Sequence, residues 1–232
     1  MKKNKRIIAF VVICVMVLTT AFAYANERAA GVRTYEYKEG FKYSELSPSI
    51  KKRITGKSYK KNPNISYSDL RYLTVKHYNY KNKVVTGELI VNKKIAKDML
   101  EIFYKLYEKK YQIQKMKLID DYNASDNASM ADNNTSAFNY RVMSGTNTLS
   151  RHAYGMAIDI NPRVNPFVNK STGLVSPRNG GIYKERDVKK CKGKYKHNML
   201  HKNDFVVKLF EKYGFSWGYK WQYYCDYQHF QK

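Results

Sequence analysis

Three cysteines in 232 residues are too few to build a cysteine-rich zinc module. Acidic side chains are also scarce, with 19 set against 43 lysines and arginines. The formal charge of +24 means attraction to a polyanion, unless it is only a solvated lysine-rich surface. Nucleic acid is not the expected partner, because the positive charge is scattered and no nucleic-acid-binding motif accompanies it. There is no glycine-rich phosphate loop, no serine-hydrolase elbow, no internal repeat and no low-complexity tract. What remains, 43% hydrophobic and 27% charged residues, suits one globular domain with some additional chain.

Long apolar runs are missing as well. The run from Ile7 to Leu18 falls short of the about 20 residues that span a bilayer. It follows Lys2, Lys3, Lys5 and Arg6 and leads into overlapping Ala-x-Ala sites at Ala21, Ala23 and Ala25. That layout reads as a secretory signal peptide over residues 1–25, with an uncleaved membrane anchor as the alternative. Ile13, not a small residue, precedes Cys14, which argues against a lipoprotein. Export would make the protein secreted or cell-wall associated, with anionic wall polymers as its nearest polyanion. Cys191 and Cys225 remain after cleavage, and pairing between them stays open.

Residues 26–65 show little apolar periodicity and carry a basic cluster from Lys51 to Lys61, which suggests a linker or loose arm. Residues 66–232 are expected to form the packed domain. Strands are expected near 72–78, 86–91, 116–119 and 156–160. A helix capped by Asn92 should bury Ile95, Met99, Ile102, Phe103 and Leu106, and a second should span 204–213 up to Gly214. Residues 121–137, rich in Asn, Asp and Ser, read as a long loop.

The chemistry lies between those helices and beyond the second. After Gly155, Met156, Ile158 and Ile160 alternate with Ala157 and Asp159. This gives a strand with one apolar face and one face of small residues ending in a carboxylate. A turn at 153–155 can bring His152 over Asp159, joining a nitrogen and an oxygen ligand of the kinds zinc accepts. His229 offers a second imidazole. Asp226, three residues earlier, suits an acid–base role better than a fourth ligand. Two histidines and one carboxylate leave a coordination position open, as in catalytic zinc sites. His197 and His201 form a His-x-x-x-His pair, but Asn198 stands where a metalloprotease has glutamate and the segment is lysine-rich, so it reads as an exposed basic loop.

The run Ser150-x-His152-x-x-Gly155-x-Ala157-x-Asp159, with Asp226-x-x-His229 near the C-terminus, resembles the zinc D-Ala-D-Ala carboxypeptidases and L-alanyl-D-glutamate endopeptidases, the VanY-like enzymes and related phage endolysins. The resemblance spans most of residues 69–232 and includes Gly87-Glu88-Leu89, the Asn134–Arg141 segment and Trp217-Gly218-x-x-Trp221. It implies an α+β domain with a small antiparallel sheet flanked by helices and a zinc site in a cleft. One zinc would sit on His152, Asp159 and His229, with Asp226 as the catalytic carboxylate and Arg141 and Ser150 on the substrate side. The substrate would be a peptidoglycan stem peptide. Carboxypeptidase and endopeptidase activities both fit, and a non-catalytic wall-binding protein is the rival from another class. Tyr219 departs from the family's Trp-Gly-Gly, a difference that bears on specificity.

Overall fold

The computed structural model describes residues 31–232, so the expected signal peptide lies outside the described residues. Strands β1 (Thr34–Lys38), β2 (Phe41–Ser44), β3 (Leu70–Tyr78) and β4 (Val84–Asn92) form an antiparallel sheet in that order. Alternation on β3 buries Leu73, Val75 and His77 on one face. Helix α2 (Ala96–Glu108) covers that face with Met99, Leu100, Ile102, Phe103 and Leu106. Leu70 and Ile90 face the other way, into a second cluster with Leu46, Ile54, Ile65, Leu118 and Phe138.

That second cluster corrects the reading of residues 26–65 as a loose arm. Residues 34–54 form β1, β2 and helix α1 (Pro48–Ile54), and β2 pairs with β3 from Phe41↔Val75 to Ser44↔Tyr72. Phe41 of β2, Leu46 of the link after it and Ile54 of α1 are buried singly, so no window is long enough to show a period. Arg53, read as part of a basic cluster, makes a two-pronged pair with Glu88 at 3.0 Å and reaches Asp121 at 2.7 Å. The packed domain therefore begins near residue 34, not 66.

Asn92 is not the cap of α2. Ile95 holds that position, and Asn92 instead accepts from Lys94 N and donates from Nδ2 to Tyr154 O at 2.9 Å. The expected loop 121–137 contains helix α3 (Asp126–Ala131) and strand β6 (Asn134–Thr135). β6 runs parallel to β5 (Lys115–Met116), which is all that forms of the strand expected at 116–119.

Two small antiparallel sheets build the C-terminal half. One has the order β10 (Ser216–Trp217), β12 (His229–Gln231), β7 (Ala157–Asp159). The other has the order β11 (Tyr224–Asp226), β8 (Phe167–Asn169), β9 (Val175–Ser176). Helix α4 (Phe205–Lys212) buries Val206, Val207, Leu209 and Phe210, and Phe210 stacks on Phe230 of β12 at 4.2 Å. The architecture is α+β with small antiparallel sheets. Among the described residues no helix is long and apolar enough to cross a membrane.

Candidate metal centre

His152 stands on a single 3-10 turn, Arg151–Tyr154. Ser150 caps that turn, its hydroxyl accepting the His152 N–H at 3.2 Å. Gly155 ends it at φ +65°, where a Cβ would also lie 2.7 Å from Asn92 N, so glycine is required twice over. Asn92 N donates to Gly155 O at 2.8 Å, which ties the turn to the end of β4. Asn139 N donates to His152 O at 3.2 Å from the other side.

Asp159 and His229 need no turn to meet, because they are direct cross-strand partners on β7 and β12. The Asp159 backbone is held on its second edge by Ser136, with N–H···O bonds of 2.9 and 3.2 Å. His229 Nδ1 lies 2.9 Å from Asp159 Oδ1, and His152 Nε2 lies 3.3 Å from Asp159 Oδ2. The two ring nitrogens are 3.1 Å apart. All three side chains are buried, and their ligand atoms lie within 4.8 Å of one another.

The outward nitrogens fix what the inward ones present. His152 Nδ1 donates to the Ala137 carbonyl, and His229 Nε2 donates to Gln231 Oε1 at 3.0 Å. With a cation in the centre each proton would sit on the outer nitrogen, so that a lone pair from each ring and a carboxylate would face one another. Three converging acceptors repel unless a cation or a proton sits among them. This donor set therefore fits a divalent metal ion, with two imidazoles and one carboxylate as its holders.

The titration behaviour follows from the same crowding. Burial opposes ionisation of Asp159, but the imidazoles of His152 and His229 outweigh it and hold the carboxyl far below its ordinary range. Burial would lower the His229 pKa, yet its bond to Asp159 raises it above the ordinary 6.5. Asp226 goes the other way. Burial, with the Asp159 charge adding to it and His229 opposing, pushes its carboxyl up to about 6. Among the described residues its Oδ1, shut off from solvent, has no hydrogen-bond partner, an acceptor left over within electrostatic reach of the ligand cluster.

The neighbouring wall is aromatic. Trp221 lies against the His229 ring at 5.3 Å. Trp217 is buried and donates from Nε1 to Tyr227 O at 2.9 Å. Tyr219, at the position that departs from Trp-Gly-Gly, stacks on Trp217 at 4.9 Å and on Tyr227 at 5.8 Å.

Arg141 is half-buried, and its Nε is ion-paired with Asp126 of α3, whose other oxygen accepts from Asn139 at 2.9 Å. Its backbone carbonyl accepts from Ser150 N at 3.1 Å, which sets it one residue pair away from the His152 turn. His197 is exposed and does not join a metal-binding cluster. Cys191 and Cys225 are both buried, and among the described residues both are free. Sequence reasoning missed Asn92, whose Asn-to-helix spacing imitates a cap, and Gln231, which carries no signal beyond standing two residues after His229. It could not have found the Ala137 carbonyl, since a backbone oxygen leaves no trace in residue type.

A family model described as D-alanyl-D-alanine carboxypeptidase matches residues 144–232. The matched segment contains His152, Asp159, Asp226 and His229 and stops short of Arg141. Neither the curated proteins nor the solved structures include a match to the chain.

Proposed function

We propose, from the match of residues 144–232 to a family model described as D-alanyl-D-alanine carboxypeptidase, that the chain is a zinc-dependent peptidase acting on peptidoglycan stem peptides, with the bond before a terminal D-alanine as its first target. The observation that carries the reading is the convergence of His152, Asp159 and His229, with a carboxylate oxygen of Asp226 that has no partner among the described residues. A binding protein with a structural metal has no use for such a group.

Each residue then has a task. His152, Asp159 and His229 would hold the metal. Zinc, when bound, supplies a Lewis acid that polarises a carbonyl and brings the pKa of a water to about 7. Asp226 takes the proton of the attacking water and hands it to the departing amine. Burial raises the Asp226 carboxyl above its ordinary range, toward the basicity that both transfers need. Arg141, with Nε on Asp126 and Nη1 on the Val142 carbonyl, offers its other terminal nitrogen to the substrate carbonyl or carboxylate. Ser150 acts from behind by capping the His152 turn. Trp221 and Tyr219 supply an apolar wall for the stem peptide.

The leader-like residues 1–25 support an exported, wall-associated enzyme. N-terminal sequencing of secreted material should start after Ala23 or Ala25, and a chain retained at the membrane from Met1 would refute export with cleavage.

The deciding experiment is mass spectrometry of purified muropeptides incubated with the zinc-loaded protein and with Asp226→Asn. Loss of one D-alanine supports the carboxypeptidase reading, and a cut within the stem shows the endopeptidase. Asp226→Asn should keep zinc and lose roughly 10²–10⁴-fold in turnover. No cleavage of any muropeptide by the wild type would leave the wall-binding rival standing.

A further inference from the structure

The proposed metal centre assigns three ligands, and its geometry requires a fourth residue of this chain that touches none of the reacting atoms. His229 can present Nδ1 to the site only if its ring is held in one orientation with the proton on Nε2. Trp221, 5.3 Å away, packs against the ring but has no lone pair to accept that proton. The polar atom within hydrogen-bond reach of Nε2 is Gln231 Oε1, at 3.0 Å.

We propose that Gln231 is the positioning residue of the metal site, its side-chain carbonyl accepting the His229 Nε2–H and so turning the Nδ1 lone pair toward His152 and Asp159. The inference rests on the metal-binding reading of that cluster. Residues i and i+2 of a strand share a face, so Gln231 lies beside His229 by the geometry of β12 itself. β12 is the central strand of its sheet. Gln231 is paired with Ala157 on one side and Ser216 on the other, so its backbone has little freedom to drift. Ser216 Oγ also donates to the Gln231 carbonyl at 3.1 Å. On His152 the same job falls to the Ala137 backbone, which no substitution can remove. Gln231 is thus the half of the support that mutation can reach.

An acceptor of this kind orients a ligating imidazole and raises its basicity, and losing one costs about 10–100-fold in metal affinity. Gln231→Leu keeps the size and removes the acceptor. Gln231→Glu keeps an acceptor and strengthens it. Zinc affinity of the metal-free protein, measured by competition with a chromophoric chelator, should fall about 10–100-fold in Gln231→Leu. It should match or exceed the wild type in Gln231→Glu. Thermal melting of the metal-free variants separates a folding defect from a loss of support.

Affinity in Gln231→Leu within twofold of wild type overturns the proposal. So does an equal loss in Gln231→Glu, which would mean that Gln231 acts through packing and not as an acceptor. A wild type that binds no zinc refutes the metal-centre reading and this role with it, whereas a zinc-binding wild type with an indifferent Gln231→Leu refutes this role alone.

Discussion

Gly218 is the position where one added methyl group should separate catalysis from metal binding. A Cβ built on it would lie 2.7 Å from the Asp226 carbonyl oxygen, 2.9 Å from Asp226 Cβ and 3.3 Å from the Trp221 ring. Going from 2.7 Å to the 3.4 Å where ordinary contact begins requires a retreat of about 0.7 Å. Two of these three contacts are on Asp226, and one of the two is backbone, so the strain cannot be shed by swinging a flexible side chain. If the chain holds its place, overpacking costs typically about 1–3 kcal/mol. At about 2–4 °C per kcal/mol for a domain of this size, melting falls by roughly 2–12 °C. If Asp226 gives way instead, the carboxylate leaves its station by most of an ångström. A misplacement of about 1 Å can cost on the order of 100-fold in rate, so Gly218→Ala should lose roughly 10–100-fold in turnover. Zinc should remain, because the His229–Asp159 pairing of β12 on β7 does not pass through Gly218. The assays are release of D-alanine from a stem-peptide substrate, metal content and a melting curve on the same preparations. Unchanged turnover with an unchanged melting temperature would refute the reasoning. Loss of zinc would show that Gly218 supports the ligands and not Asp226.

His152→Ala and His229→Ala should each lose bound zinc and turnover, while His197→Ala should change neither; full zinc by elemental analysis in both of the first two variants would show that the ligands are elsewhere. Zinc affinity should fall as pH drops, because a proton on His229 competes for the same lone pair and its pKa is raised above 6.5 by Asp159. The decline should therefore already be visible at pH values above 6.5 in a pH series of chelator titrations, and a flat series would refute the competition. Titration of the unfolded, unreduced mature protein should find two free thiols, from Cys191 and Cys225, and finding none would mean the two are bonded.

The sequence by itself determined the local half of this protein. The period of Met99, Ile102, Phe103 and Leu106 marks α2, the alternation after Gly155 marks β7, and Gly155 and Gly214 mark the ends of turns through their positive φ. The spacing of His152 and Asp159, with Asp226 and His229 near the end of the chain, was enough to nominate a metal site. Such signals are legible because they depend on residues a few positions apart. What depended on distant pairing was not. The hairpin of β1 and β2 and the short α1 have too few residues to show a period, and distant partners hold them in place, among them β3 and Glu88, which pairs with Arg53 across 35 positions. Asn92 was misread because, beside local bonds from Lys94 and Ile95, it is tied to Tyr154 and Gly155, 62 and 63 residues away, while Ile95 caps the helix. The tertiary structure alone decided that Arg141 spends its Nε on Asp126 and that Cys191 and Cys225 stay apart as free thiols. It also decided which nitrogen of each histidine faces inward, because that depends on a backbone carbonyl from Ala137 and on the sheet that fixes Gln231 beside His229. Residue types announce which chemistry is available, but the direction of a lone pair is set by hydrogen-bond partners that only the folded chain brings within reach.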